Sequence, residues 1–417
     1  MRSIRVWARL LGLRGTVIEE VNVNDAGEGT EVVVAVRPGW RERGRCGICG
    51  RRAGRFDRGG GRRRWRALDL GTSLCWIEAD APRVCCSKHG VVVARVPWAR
   101  HDSRFTRAFE DQCCWLAVNC SKKAVAELMR CSWRTVGSIL ERVCGEARLK
   151  VDLLSGLTSI GIDEISYRRG QRYLTVVVDH HSGRLVWAAP GRDRQTVLSF
   201  FDALGQERCK EIESVSCDMA SWISSAVAEA VPDAQRCVDP FHVIGLATDA
   251  LDEVRRELWR EARHEQNLTL AKDLKGARFC VWKNPENLTD RQAQKLAVIG
   301  KLNGPLYRAY LLKEQLRQIY RSATYQEAEA LLDAWLAWAR RCRLPAFTKL
   351  ARTITAQRDG ILAAIRLGLS NARVEQINTQ IRLITRRAFG FHSADALIAL
   401  AMLTLSGLCP PLPDRVK

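Results

Sequence analysis

Strand and helix signals alternate through the middle of the chain, three acidic residues lie on those elements, and a purely helical stretch separates the last acid from the other two. Together these predict an α/β core split by an all-α insertion. A cysteine- and arginine-rich β segment and a helical pair come first. The expected order is therefore a β-rich zinc-binding module (1–100), a helix-turn-helix (101–150), the first part of the core (151–247), the insertion (248–365) and the closing part of the core (366–417).

Composition bounds what such a chain does. With 417 residues, 47% of them hydrophobic, it can fill two or three cores. Lys and Arg number 66 against 46 Asp and Glu, a net charge of +20 that calls for a polyanionic partner, nucleic acid first among them. No uninterrupted apolar run reaches the roughly 18 residues of a bilayer span, so membrane function is set aside. The chain carries 16 cysteines but no apolar signal segment after Met1, which places it in a reducing cytosol with its thiols free.

In the first module, Gly15 to Glu20 and Thr30 to Val36 alternate about the polar turn Asn24-Asp25-Ala26-Gly27 and read as a hairpin. Arg41 to Arg66, with Gly59-Gly60-Gly61 inside it, is too polar to build a core and is expected to be a mobile basic loop. Cys46-Gly47-Ile48-Cys49 opens that loop, and Cys86-Ser87-Lys88-His89 follows the strand-like Leu74 to Ala79. Two pairs with two intervening residues each point their ligands at one tetrahedral Zn²⁺, giving Cys46, Cys49, Cys86 and His89, with Cys85 as the alternative to Cys86.

The next segment turns helical from Asp102 to Leu149. Ser121 to Met129 carries Ala124, Val125 and Leu128, a break falls at Arg130-Cys131, and Ser132 caps a helix with Val136, Ile139, Leu140 and Val143 inward. That is a helix-turn-helix shape, whose second helix offers Trp133, Arg134 and Ser138 to a major groove.

Ile160 to Asp163, Tyr173 to Val178 and Leu185 to Ala188 read as strands, followed by a helix Gln195 to Leu204, a strand ending at Cys217, a helix Trp222 to Ala230 and a strand Ala234 to Val238. This order suits a ribonuclease H-like core. From Phe241 to about Ile365 only helical periodicity remains, with Leu251, Val254 and Leu258 in one stripe and Leu331, Leu332, Trp335 and Trp338 in another. Within it, Trp282-Lys283-Asn284 puts an aromatic beside a cation, and two readings stand: an exposed indole that stacks on a DNA base, or a Trp packed between the insertion helices like Trp335 and Trp338. In the last helix Val374, Ile377, Ile381 and Ile384 share one side, while Asn371, Glu375, Asn378 and Arg382 share another.

Asp163 and Asp218 each close a short apolar run, and Glu375 lies on that last helix. Carboxylates delivered to one point suit a pair of Mg²⁺ ions, which need hard oxygen ligands and activate water for attack on phosphate. Asp239 also ends an apolar strand and competes with Asp218; Asp218 is preferred, leaving Asp239 and His242 to orient a ligand or fix the helix that starts there. Glu164 is expected to face away, since strand neighbours alternate. His180-His181 lies in a predicted turn and is assigned nothing.

Gly161-Ile162-Asp163-Glu164, Arg172 to Asp179, Val238-Asp239-Pro240-Phe241-His242-Val243 and Ser370 to Asn378 resemble the ISL3-family insertion-sequence transposases of bacteria. Lys283 to Thr289, Arg386 to Phe391 and Cys86 to Gly90 extend the resemblance over nearly the whole chain. Two positions depart from the family pattern, Ala220 for a serine and Gln376 for a glycine. The resemblance implies a ribonuclease H-like fold with Asp163, Asp218 and Glu375 as catalytic acids. It also implies cleavage at terminal inverted repeats and joining to target DNA with two Mg²⁺ ions, for which Mn²⁺ can substitute. End recognition falls to the zinc module and the helix-turn-helix, with Arg51, Arg52, Arg62, Arg63 and Arg64 gripping phosphates, and Lys283 and Arg382 also expected on DNA. A homodimer or larger assembly on double-stranded DNA, in the bacterial cytoplasm at the nucleoid, completes the expectation. The rival readings are a structure-specific endonuclease of the same fold and a DNA-binding regulator without catalysis.

Overall fold

Alternation in the first hundred residues is realised as two small sheets. The computed structural model describes residues 2–26 and 29–413; residues 27 and 28, where the predicted hairpin turn ends, lie outside the described residues. The chain divides into two units, Met1–Asp152 with Leu383–Lys417, and Leu153–Arg382.

In the first unit α1 (Arg2–Leu10) precedes β1 (Thr16–Ala26) and β2 (Gly29–Pro38), an antiparallel pair. β3 (Gly54–Asp57), β4 (Arg62–Arg66), β5 (Leu74–Asp80), β6 (Arg83–Cys86) and β7 (Gly90–Val93) follow. The sheets have the orders β1-β2-β5-β4 and β3-β6-β7. The stretch expected to be a mobile basic loop is thus partly strand, a correction with a plain cause. Arg62 and Arg64 of β4 pair with Glu78 of β5, so their charge is neutralised in the ladder, while Trp65 turns inward to meet Trp98 edge-on at 5.5 Å. Buried Ile18, Val34, Val36, Ile77 and Ala79 complete this core.

α2 (Arg107–Asn119), α3 (Lys122–Leu128) and α4 (Trp133–Lys150) start on Thr106, Ser121 and Ser132, each accepting a backbone N–H three residues on. Such caps contribute about 1 kcal/mol apiece. Arg130 takes φ +47° in the tight turn between α3 and α4. Val136, Ile139, Leu140 and Val143 are buried as their spacing requires, but Leu128 is 63% exposed and Met129 takes its expected place inside. Arg100 is buried in an ion network with Glu110, Asp111 and Glu146 that ties the chain before α2 to α2 and α4.

The second unit contains β8 (Ser159–Arg168), β9 (Arg172–Asp179), β10 (Leu185–Pro190), α5 (Arg194–Leu204), α6 (Gln206–Cys209), β11 (Ser214–Cys217), α7 (Ser221–Ala230) and β12 (Gln235–Val238). The sheet runs β10-β9-β8-β11-β12, antiparallel among the first three and parallel from β8 through β11 to β12. Ile160, Ile162 and Val215 pack on one face against Phe200, Phe201, Ile223 and Val227 of α5 and α7.

Eight helices then share one core: α8 (Pro240–His264), α9 (Leu268–Gly276), α10 (Arg278–Trp282), α11 (Asp290–Leu302), α12 (Gly304–Ile319), α13 (Tyr325–Arg341), α14 (Pro345–Ala356) and α15 (Arg358–Leu367). Trp335 is its largest fully buried side chain, and its indole N–H donates to the Leu312 carbonyl at 2.8 Å. α16 (Ala372–Arg387) begins in the second unit and ends in the first, so the segment expected to close the core, 366–417, is shared between the two. α17 (Ala394–Leu405) packs on α2 and α4. Among the described residues no helix is long and apolar enough to cross a membrane.

Candidate active site and zinc centre

The two cysteine-bearing pairs meet through their own turns. Cys46 to Cys49 is a knuckle in which a Cβ on Gly47 would strike the Val93 carbonyl at 2.5 Å, so glycine is required there. Cys86 to His89 spans the β6–β7 turn and is released by Gly90 at φ +65°. Cys46 Sγ lies 3.6 Å from His89 Nδ1, Cys86 Sγ 3.7 Å from the same nitrogen, and Cys49 Sγ 3.7 Å from Cys86 Sγ. Zn–S bonds of about 2.3 Å at tetrahedral angles set edges of nearly that size, so the four ligands fit a structural zinc. Backbone N–H groups of Lys88 and His89 hold the Cys86 thiol down to about 6, toward the thiolate a metal needs. Alternation in β6 buries Cys86 and exposes Cys85, which decides between them. All 16 cysteines are free thiols.

The carboxylates are less tightly gathered. Among the described residues, the Cys46, Cys49, Cys86 and His89 group is the only one with three or more metal-ligating atoms all within 4.8 Å of one another. Asp163 lies inside β8 rather than at its end, because the strand continues to Arg168. Burial pushes its carboxyl up to about 7; the Glu164 N–H opposes this, and the charges of Glu164 and Asp218 add to it. Asp218, just past β11, accepts the Ala220 N–H at 2.9 Å and shapes the turn into α7. Glu375, on the first turn of α16, is half-buried.

What positions α16 is a set of contacts with the sheet. Asn378, one turn beyond Glu375, donates from Nδ2 to Asp163 Oδ2 at 2.8 Å. A Cβ on Gly161, two residues before Asp163 and on the same side of β8, would lie 2.3 Å from Val374 Cγ2, so only glycine admits the helix this closely. Asp239 Oδ1 accepts the Asn371 backbone N–H at 3.0 Å. Thus Asp239 fixes the Glu375 helix, and the expectation that it fixes the helix starting beside it is corrected: α8 has no side-chain cap. Ser216 Oγ donates to Asn371 Oδ1 at 2.5 Å and lies 2.7 Å from His180 Nε2. His180, unassigned on sequence, is buried; only its place directly after β9 hinted at this.

Glu164 takes the other side of β8 and pairs with Arg192 at 2.6 Å, yet the Asp218 charge still raises its carboxyl after burial does. His242 is half-buried, and its charge acts on both Asp163 and Glu164. Glu164 Oε2, Asp239 Oδ2 and Asn378 Oδ1 are buried without a donor, and the buried Asn371 Nδ2 lacks an acceptor. Asp163 and Asp218, each within the other's electrostatic reach, offer hard oxygen ligands of the kind that divalent cations take.

The expected DNA-contacting residues differ in freedom. Arg51, Arg52, Arg63, Arg134 and Arg382 are exposed, whereas Arg62 and Arg64 are engaged by Glu78. One face of Trp133 is covered by the Lys122 ammonium at 3.7 Å, with 39% of the residue exposed. Of the two readings of Trp282 the packed one holds: it lies half-buried against the helical core, under the Arg278 guanidinium at 4.0 Å. Lys313 draws the α10 end inward by bonding the carbonyls of Val281 and Trp282, which is the physical cause. Lys283 remains exposed and reaches Gln292.

Comparison with known proteins covers all of these regions. A family model for the transposase domain of the ISL3 group matches residues 160–401. A model for the helix-turn-helix domain of transposase family ISL3 matches 94–144. A zinc-finger model of transposases IS204/IS1001/IS1096/IS1165 matches 42–89. The chain is 52% identical over 437 residues to the transposase for insertion sequence element IS1557 of Mycobacterium tuberculosis, covering 100% of this chain and 98% of that protein. It is 28% identical over 338 residues to the transposase for insertion sequence element IS1001 of Bordetella parapertussis, covering 80% of this chain and 82% of that one.

Proposed function

We propose, from the premise that the chain belongs to the ISL3 family of insertion-sequence transposases, a catalytic assignment: Asp163, Asp218 and Glu375 are the acids that cut and join DNA. A transposase is a DNA-cutting and DNA-joining enzyme, and the helix-turn-helix domain makes this one DNA-binding. The observation that carries the assignment is the Asn378–Asp163 hydrogen bond, which brings the Glu375 helix onto the strand bearing Asp163, whose charge environment includes Asp218.

The three acids would hold two Mg²⁺ ions, or Mn²⁺, in a ribonuclease H-like core split by the helices between β12 and α16. Such ions, when bound, lower the pKa of an attacking water and stabilise the leaving oxygen. The chain's own residues do the positioning. Asn378 fixes the Asp163 carboxylate, Asp239 and Ser216 fix the first turn of α16, and Gly161 sets how near that helix lies. Preorganised placement of this kind supplies much of a phosphoryl-transfer rate.

Cleavage falls at the element's terminal inverted repeats, recognised by the helix-turn-helix and zinc ribbon, with Arg51, Arg52, Arg63 and Arg134 on DNA. Two ends are brought together by a homodimer or larger assembly, at the nucleoid in the bacterial cytoplasm. The five expected segments serve as the functional domains of this scheme.

The test is a nicking and strand-transfer assay in Mg²⁺ on duplex DNA carrying the element's ends. Asp163→Asn, Asp218→Asn and Glu375→Gln should each abolish both steps and keep end binding. An Asp218→Asn enzyme that still cuts, beside an inactive Asp239→Asn, would transfer the second ligand to Asp239.

A further inference from the structure

The first unit contains a cleft of about 1030 Å³ between the Cys46–Cys49 knuckle, strands β4 and β5, and the start of α4. Nine basic side chains line it against two carboxylates, Asp102 and Glu146. Six of the nine are engaged by acids: Arg64 by Glu78, Arg66 and Arg130 by Asp69, and Arg100, Arg107 and Lys150 by Glu146. Arg63, Arg95 and Arg104 are exposed and have no carboxylate partner among the described residues.

A second observation points the same way. Arg66 is only 6% exposed, lines the cleft, and its Nε has no acceptor. Trp76, also in the lining, buries an indole N–H that has no acceptor either. Both orphans are donors. A buried donor left without an acceptor is destabilising, so the cleft is built for a ligand that brings acceptors and negative charge.

We propose that this cleft holds the phosphodiester backbone of one strand of the DNA flanking the groove that the helix-turn-helix reads, with Arg63, Arg95 and Arg104 neutralising successive phosphates. The inference rests on the reading of the chain as a DNA-binding transposase and names a surface of it. The cleft is too large for a single phosphate ion, and Ser132 and Thr135, at the start of α4, lie on its lining. A backbone held there lies beside the helix whose first residues face the bases.

The experiment uses the full-length protein, a duplex carrying the element's end and an unrelated duplex of equal length, with Kd measured from 50 to 200 mM KCl. Removing three phosphate contacts lowers the slope of log affinity against log salt by about 2.7, so the parent should lose about 40-fold more affinity over that range than the triple variant R63A/R95A/R104A, on both duplexes alike. Zinc content and circular dichroism should match the parent, since all three side chains are exposed. The charge-matched control R9A/R14A/R58A, outside the cleft, should keep the parental slope. An unchanged slope in the cleft variant overturns the proposal. So does an equal loss in the control, which reduces the effect to net charge, or a loss confined to the end sequence, which makes the cleft a base reader. The catalytic reading is judged separately, because Asp163→Asn should retain the parental salt slope while losing cleavage.

Discussion

The zinc centre and the proposed acid site are built by opposite routes. Four ligands of the first meet within 4.8 Å because each pair is closed by a turn of its own, on two short segments of one small module. The acids proposed for the second come from β8, the end of β11 and the start of α16, and a glycine, two asparagines and an aspartate hold that helix against the sheet. Local closure makes a rigid structural site; remote assembly makes one whose geometry is set by the whole domain and can stay open to substrate.

Removing one ligand from each site should separate the two most strongly. Cys49→Ser should reduce zinc from about one ion per chain to none and unfold the ribbon with near-complete loss of end binding, because metal affinity there is folding energy. Asp163→Asn should lose cleavage by at least about 10³-fold with end binding and melting temperature near the parent's. Elemental analysis, gel shift, nicking and thermal melting read these four quantities. Full zinc in the Cys49 variant would dissolve the contrast.

A smaller effect is expected at Arg100. Truncation to Ala leaves the buried Glu110 with Arg142 and Ser103 but one fewer cation, and should destabilise the first unit by about 1.5–3 kcal/mol in urea unfolding. Zinc should nevertheless stay bound, since the ribbon closes through its own turns; zinc lost in step with Arg100 would mean the site is less local than argued.

Gly161→Ala comes next, at about 1–3 kcal/mol, since the new methyl group displaces Val374 and with it α16. Cleavage should fall with the zinc site untouched. Adding Val374→Ala should restore part of both stability and rate, and absence of any rescue would show that close approach of the helix is not what the glycine provides.

The smallest predicted effect is a pH dependence in the first unit. Burial raises the Glu146 carboxyl, but hydrogen bonds from Lys150 and Arg107 and the charge of Arg100 outweigh it, and the group is held down to about 2 from an ordinary 4.5. A depressed acid contributes stability above its unfolded pKa and loses it as pH falls toward the folded value. Acid unfolding between about 4.5 and 2 should therefore be shallower in Glu146→Gln, measured by circular dichroism.

Sequence periodicity anticipated these two routes unequally. Spacing located the zinc ligands because both knuckles are local, and most elements of the α/β unit fell within two residues of their predicted places, though the short α6 was not anticipated. Strand length was the weak point: nothing in Glu164 to Arg168 announces a strand carrying on past Asp163. The arginines of β4 read as a loop since their partner, Glu78, is remote in sequence. His180 looked superficial because a histidine doublet beside a turn carries no sign of which ring enters the sheet. Trp282 admitted both an exposed and a packed reading because Lys313, which draws its segment inward, lies on another helix.

One hydrogen bond described above also bears on how this chain tolerates change. The carboxylate of Asp239 and the backbone of Asn371 meet across a separation of 132 residues, so everything between β12 and α16 leaves and rejoins the sheet at nearly the same place. The helical segment is a handle with both ends on one post. Closing a longer or shorter handle alters the entropy of the chain only slowly, by about 0.6 kcal/mol for each doubling of its length. A change in the length of this segment should therefore leave the seat of the helix bearing Glu375 in place.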